Sequence, residues 1–129
     1  MFLLDTHTFI WLCMDWKMLP PQLTDLFESA PDGLFISSIT AVETGLLVNA
    51  GRVSLPCSCE YFFQKNMRYF RIQEIPVDVE IGLASAGLPL IHRDPFDRIL
   101  IATAQAHKMT ILTKDRTIPT YPKVKAVWE

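Results

Sequence analysis

The sequence has few of the residues that mark a disulfide-bonded or zinc-binding protein. Of its 129 residues only three are cysteines, Cys13, Cys57 and Cys59, and only three are histidines. The odd number of cysteines and the Cys-Ser-Cys spacing argue against a disulfide framework, and they lack the paired spacing of a zinc site. We therefore expect reduced thiols and a cytoplasmic location.

Long apolar runs, internal repeats and low-complexity linkers are absent as well. No run approaches the ~20 apolar residues that a membrane-spanning helix needs. Asp5 interrupts the apolar N-terminus and no basic segment precedes it, which is unlike a signal peptide. We expect no membrane association and a single domain over residues 1–129, a length that can bury a sizeable core.

An excess of positive charge, the usual mark of a nucleic-acid binder, is also lacking, since the net charge is −2. Residues 1–92 carry five basic and ten acidic side chains, whereas residues 93–129 carry seven basic and four acidic ones. Three of those four acids are the candidate site residues described below, so a bound cation would leave this segment positive. Solvated surface charge explains the same pattern, and charge alone favours that interpretation.

The sequence does contain five short apolar segments that alternate with helical patterns. The predicted strands are residues 2–4, 34–37, 71–75, 110–113 and 124–128. This alternation predicts an α/β domain with a parallel sheet and helices on both faces. In such sheets ligands bind outside the carboxyl ends of the strands, which is where Asp5 and Asp115 fall.

The stretch His92-Arg93-Asp94-Pro95-Phe96-Asp97-Arg98 begins the most buried helix that the pattern predicts. Asp94 suits the N-cap position, and Pro95 suits the first helical position. Asp97 falls in the first turn, where the helix dipole favours negative charge. Helix stabilisation therefore accounts for both acids, and either could instead contribute to a site.

Two more acids allow two interpretations each. Asp5 either belongs to a site at the end of the first strand or is a helix-start acid, with Thr6 as the cap of the next helix. Glu43 either closes a capping box with Thr40 or lies in the second turn of a helix that begins at Ser38. Spacing alone does not decide between these alternatives.

If these acids converge, their chemistry is restricted. Several carboxylates at close range repel one another and need compensation to stay ionised. With ligands that are all oxygens, Mg²⁺ or Mn²⁺ is the expected cation. Such a site indicates metal-dependent hydrolysis of a phosphodiester.

The segment HRDPFDRILIATA, followed by ILTKD, resembles the C-terminal half of PIN-domain ribonucleases, and among them the VapC-type toxins of toxin–antitoxin pairs. The resemblance covers nearly the whole chain. It implies a three-layer α/β/α sandwich around a central parallel five-stranded sheet, and an endoribonuclease that uses Mg²⁺ or Mn²⁺. It further implies a small antitoxin as partner, RNA as substrate and a homodimer.

The resemblance also assigns residues. Asp97 precedes Arg-Ile-Leu-Ile-Ala-Thr-Ala as the family's metal-binding aspartate does, which leaves Asp94 for capping. The implied catalytic and metal-binding residues are Asp5, Glu43, Asp97 and Asp115, and the implied substrate-binding residues are Thr113 and Arg98.

One departure and two alternatives accompany this assignment. Close relatives often have Trp-Glu followed four residues later by lysine, whereas this chain has Val42-Glu43 and Leu47. Another α/β phosphoryl-transfer domain, such as a receiver or a haloacid-dehalogenase-like phosphatase, would need paired acids or Asp-x-Asp, which Asp5-Thr6-His7 does not supply. A non-catalytic interaction module of the same fold is the second alternative.

Overall fold

The computed structural model of the chain describes residues 1–29 and 32–129. The strands are β1 (Phe2–Leu4), β2 (Leu34–Ser37), β3 (Gln73–Ile75), β4 (Thr110–Leu112) and β5 (Lys125–Val127). The helices are α1 (Thr6–Met14), α2 (Pro21–Ser29), α3 (Ile39–Asn49), α4 (Cys59–Phe70), α5 (Val79–Ala86) and α6 (Pro95–His107). The turn predicted at Pro31-Asp32-Gly33 begins outside the described residues.

All five strands are parallel, in the order β3-β2-β1-β4-β5. The central strand β1 pairs with β2 on one side and with β4 on the other, and Leu3 lies opposite both Phe35 and Ile111. The strand order therefore runs from β1 to β2 and β3 on one side, and then changes direction to β4 and β5 on the other side. In parallel sheets ligands bind in the crevice where the strand order changes direction, which here lies at the carboxyl ends of β1 and β4.

Two apolar cores lie on the two faces of the sheet, because successive strand residues point to opposite sides. Leu3 and Ile111 belong to the core that α5 and α6 cover, with Leu100 and Ile101 of α6 fully buried. Leu4 belongs to the other core, which includes residues of α1, α2 and α4. The predicted α/β/α sandwich with a parallel five-stranded sheet is confirmed.

The ends of the helices and strands lie close to those that the sequence predicts, and the differences have local causes. Asp94 is the N-cap of α6, as predicted, and the side chains of Ser58 and Asp78 likewise accept backbone N–H groups at the starts of α4 and α5. The cap of α1 is Asp5, not Thr6, because the Asp5 carboxylate accepts the N–H of Thr8. The third strand is shorter than predicted and begins at Gln73, because Arg71 adopts a left-handed backbone (φ 54°) that ends α4.

Within the part of the chain that the structure describes, no helix combines the length and the apolar character required to cross a bilayer.

Candidate active site

The carboxyl ends of β1 and β4 open into a cavity of about 230 Å³. The side chains that line it are those of Asp5, Thr6, His7, Trp11, Glu43, Asp94, Asp97, Lys114 and Asp115. All four predicted site acids are among them, although they come from positions as far apart in the sequence as 5 and 115. The fold therefore brings the four carboxylates to one place.

Asp5 follows β1 directly and is held by two donors. Its Oδ1 accepts the N–H of Thr8 at 2.8 Å, and its Oδ2 accepts the hydroxyl of Thr113 at 2.5 Å. The same Thr113 oxygen accepts the N–H of Asp115 at 3.0 Å. Thr113 is only 3% exposed, so it ties two acids together from within the protein. This arrangement gives Thr113 a role in positioning the acids, and its contact with substrate stays a prediction.

Glu43 lies in the second turn of α3, since the helix begins at Ile39. Its Oε1 accepts the hydroxyl of Thr6 at 2.6 Å. Burial raises the pKa of Glu43, and the hydrogen bond from Thr6 only partly opposes that effect. The capping-box alternative is wrong, because Thr40 lies inside the helix and is fully buried.

His92 lies between the carboxylates of Asp97 and Asp115. Its Nε2 is 2.9 Å from Oδ2 of Asp97 and 3.0 Å from Oδ2 of Asp115, and its Nδ1 accepts the backbone N–H of Asp94 at 3.2 Å. Because Nδ1 accepts, we assign the imidazole proton to Nε2, which can then donate to both acids. Sequence reasoning gave His92 no role. Its position directly before Arg-Asp-Pro-Phe-Asp was the available signal.

The two acids beside His92 respond differently to their surroundings. Burial raises the pKa of Asp97 to about 7, and the negative charges of Asp94, Asp115 and Glu43 add to that rise while His92 opposes it. Burial also acts to raise the pKa of Asp115. Hydrogen bonds from His92 and from the N–H groups of Thr117 and Ile118 outweigh it, so that this pKa is lowered. One acid thus retains its proton far more readily than the other.

Asp94 has two roles in the structure. Its Oδ1 accepts the N–H of Phe96 at 2.9 Å, which confirms the predicted N-cap of α6. Its side chain also lines the cavity, and its charge raises the pKa values of Asp97 and Glu43. The sequence assignment of Asp94 to capping was therefore incomplete.

Arg98, for which the resemblance implies a contact with substrate, lies away from the cavity. The residue is 8% exposed and does not line the cavity. Its guanidinium donates to backbone carbonyl oxygens of the last turn of α5 and of the segment that follows it, with the shortest contacts to Pro89 (2.8 Å), Ser85 (2.9 Å) and Leu88 (2.9 Å). Arg98 therefore holds the segment that carries His92.

The donor set around the cavity fits a hard divalent cation. Asp5, Glu43, Asp97 and Asp115 supply carboxylate oxygens, and Asp94 adds a fifth carboxylate to the lining. Burial and, after it, the charges of the neighbouring acids raise the pKa of Asp97, so a bound cation would favour its ionised form. Among the described residues, ligand atoms of His92, Asp97 and Asp115 lie within 4.8 Å of one another. The proton on Nε2 of His92 makes that nitrogen a donor, so the carboxylates are the better ligands.

Comparison of the sequence with known families matches residues 2–124 to the PIN domain. A relative with an assigned function is Ribonuclease VapC22 of Mycobacterium tuberculosis. It is 26% identical over 129 residues, which are 98% of this chain and 97% of that protein.

Solved structures with the same fold include toxin–antitoxin complexes. The DNA-bound VapBC of Salmonella typhimurium superposes with a TM-score of 0.69 at 20% identity, covering 98% of this chain and 96% of that one. VapBC2 of Rickettsia felis, bound to a promoter DNA fragment, gives a TM-score of 0.72 at 16% identity, covering 99% and 98%. At these identities the likeness establishes the fold.

Proposed function

Because the chain belongs to the PIN-domain family, we propose that it is a metal-dependent endoribonuclease that acts as the toxin of a toxin–antitoxin pair. The observation that carries the proposal is the convergence of Asp5, Glu43, Asp97 and Asp115 on one cavity at the switch point of the sheet. The likeness to Ribonuclease VapC22 over almost the full length of both chains supports RNA as the substrate. A cytoplasmic location, where the three cysteines stay reduced, suits this role.

Asp5, Glu43, Asp97 and Asp115 would hold Mg²⁺ or Mn²⁺. Such a cation supplies charge neutralisation at the scissile phosphate and makes water a better nucleophile at neutral pH. The protein's own groups keep the carboxylates in place: Thr6 orients Glu43, Thr113 orients Asp5, and His92 spans Asp97 and Asp115. Lys114 lines the same cavity and offers a positive charge for the phosphate.

Incubation with a single-stranded RNA tests the activity. We expect cleavage in Mn²⁺ or Mg²⁺ and none in EDTA, with activity restored when the cation is returned. The products should carry no 2′,3′-cyclic phosphate, because water and not the 2′-hydroxyl is the nucleophile. A folded protein that leaves every RNA intact in Mn²⁺ would favour the non-catalytic module of the same fold.

A small antitoxin is the proposed partner. The aromatic residues of α4 divide between the core and the surface: Phe62 is buried and Phe63 packs against Phe9. The exposed face of α4 instead presents Tyr61, Lys65 and Tyr69 beside an open groove of about 760 Å³. We propose that the antitoxin contacts this face. Co-expression with an adjacent small gene, followed by pull-down, tests the pairing; Tyr69→Ala should weaken it, and no association of the wild type would contradict it.

A two-fold homodimer is the proposed assembly. Large apolar side chains are exposed on α3 (Val42 and Leu46) and on α5 (Val79 and Leu83), and Leu90 is 87% exposed. Trp16 and Tyr69 are exposed as well, whereas Phe62 is buried. Sedimentation at micromolar concentration should give a dimer that Leu83→Glu converts to monomer. A wild-type monomer under these conditions would contradict the assembly.

A further inference from the structure

A second cavity of about 400 Å³ adjoins the acidic one, and the two share Lys114 and Asp115. Trp128, Pro119 and Arg116 also line this second cavity. Trp128 follows β5 directly, and β5 is the edge strand beside β4. The second cavity is therefore continuous with the candidate active site on the side where the sheet ends.

A row of aromatic rings connects the two cavities. The ring centroids of His7 and Trp11 are 5.7 Å apart, and those of Trp11 and Trp128 are also 5.7 Å apart. His7 and Trp11 line the acidic cavity, whereas Trp128 lines the second one. Both tryptophans are partly buried against the core, which fixes their orientation while leaving part of each ring on a cavity wall.

The charges around the second cavity are balanced. Lys114 and Arg116 are exposed and form no ion pair with the residues that the structure describes. Asp115 and Glu129 line the same cavity. Phosphate attraction alone would therefore hold a polyanion weakly here, and the aromatic rings are the feature that distinguishes this surface.

From this juxtaposition we propose that His7, Trp11 and Trp128 form a stacking site for unpaired bases of a single-stranded RNA segment that leads into the acidic cavity, with Lys114 and Arg116 contacting its phosphates. The proposal rests on the proposed ribonuclease function and adds how the substrate is held. Aromatic side chains bind bases of any sequence through their ring faces, and they require bases that are not paired or stacked in a duplex. The neighbouring rings are inclined by 52° and 59°, so bases on successive rings cannot remain stacked on one another.

Binding measured in EDTA separates this site from catalysis. We expect Trp128→Leu to weaken the affinity for a fluorescent single-stranded octaribonucleotide about tenfold, because a leucine fills apolar space without offering a ring face. Trp128→Phe keeps a ring and should stay within about threefold of the wild type. Trp16→Leu is the matched control, since Trp16 is 63% exposed and lines neither cavity. Equal affinity of Trp128→Leu and Trp128→Phe would overturn the stacking role.

An oligomer without bases makes the test independent of folding defects. The wild type should bind an abasic ribose-phosphate octamer about tenfold more weakly than the RNA. Removing the bases should reduce the affinity of Trp128→Leu by a smaller factor, because this variant no longer has the indole ring on which a base would stack. If Trp128→Leu weakened the binding of the RNA and of the abasic oligomer equally, the indole ring would not contact the bases, and that result would overturn the proposal. A duplex of the same sequence should bind more weakly than the single strand.

The salt dependence of RNA affinity tests the contacts of Lys114 and Arg116 with phosphates. For each of Lys114→Gln and Arg116→Gln, the slope of log affinity against log salt should become shallower by about 0.7, the value for one phosphate contact on a single strand. Unchanged slopes would remove these residues from the site.

The outcomes distinguish the two proposals. A wild type that neither binds nor cuts RNA contradicts the ribonuclease function itself. If the wild type cuts RNA and Trp128→Leu binds RNA as tightly as the wild type does, only the stacking site is contradicted. The surface would then fit a peptide segment of a partner protein better than it fits RNA.

Discussion

The Asp97→Asn protein should lose RNA cleavage and, when metal-free, be more stable than the wild type at pH 8. Burial and the charges of Asp94, Asp115 and Glu43 raise the pKa of Asp97 to about 7, so ionised Asp97 is a destabilised group in the folded protein. Asparagine is isosteric and retains an oxygen that can accept the proton of His92. It removes the repulsion together with one of the carboxylates that would hold the cation.

The sign of the effect depends on pH. Below about pH 4, Asp97 is protonated in both the folded and the unfolded chain, and its charge contributes nothing. As the pH rises from about 4 to 7, the unfolded chain releases this proton while the folded protein retains it, so the wild type loses stability. The loss relative to Asp97→Asn should be on the order of 2–4 kcal/mol and stay constant above pH 7.

Urea unfolding in EDTA between pH 4 and 8 measures this difference, alongside cleavage in Mn²⁺. Asp78→Asn is the matched control, because Asp78 also begins a helix by accepting a backbone N–H but lies outside the cavity. Asparagine caps about as well as aspartate, so Asp78→Asn should keep both stability and activity. Asp94→Asn is not a clean control, since Asp94 lines the cavity.

If Asp97→Asn were less stable than the wild type and still cut RNA, Asp97 would be a helix-start acid and not a site residue. In that role the lost charge would cost roughly 0.3–1 kcal/mol of stability at any pH above its titration, and the protein would still cut RNA. Stabilisation without loss of activity would show that the repulsion is real but that Asp97 does not serve the chemistry.

The fold could be predicted because its strongest signals are local. The apolar strands, the caps at Ser58, Asp78 and Asp94, and the apolar α6 each follow from a few adjacent residues. The parallel sheet then follows from the alternation of strands and helices, and with it the edge where Asp5 and Asp115 meet.

The parts that sequence reasoning missed depend on contacts between distant segments. Thr113 bonds to Asp5 across 108 positions, and His92 reaches Asp115 across 23. No periodicity reports such contacts. The start of α3 was undecided for a related reason, because the hydroxyl of Ser38 bonds to the N–H of Val77 and not to its own helix.

Leu47 has a structural explanation where close relatives often have lysine. The residue lies one turn after Glu43 in α3 and packs against the core that also contains Leu4 and Phe9. It therefore brings no charge toward the cavity, and Lys114 is the lysine that lines it among the described residues. The lysine charge at the cavity therefore comes from the loop after β4.

Replacing Arg98 should destabilise the protein strongly, because its buried guanidinium donates to several backbone carbonyl groups at once and its bond to the carbonyl of Ser85 is itself buried. The two terminal nitrogens donate to carbonyls of Ser85, Leu88 and Pro89 at 2.8–2.9 Å, with longer contacts to Ala86 and His92. Each buried carbonyl left without a donor costs about 1–3 kcal/mol. For Arg98→Met we expect a loss of about 3 kcal/mol or more in the free energy of unfolding, a large fraction of a typical domain's stability.

Arg98→Lys separates this structural role from a contact with substrate. Lysine keeps the positive charge, but its three donors on one nitrogen cannot reach carbonyls spread around a planar guanidinium. We expect its stability to fall nearly as far as that of Arg98→Met, while the fraction that remains folded at low temperature binds RNA in EDTA with unchanged affinity. Urea unfolding and RNA titration at 10 °C measure the two quantities. If Arg98→Lys were as stable as the wild type but bound RNA more weakly, the guanidinium would contact substrate after all. The segment that carries His92 would then have to be held by Tyr121, since the Tyr121 hydroxyl lies within hydrogen-bond distance of the backbone N of His92 and the carbonyl O of Pro89.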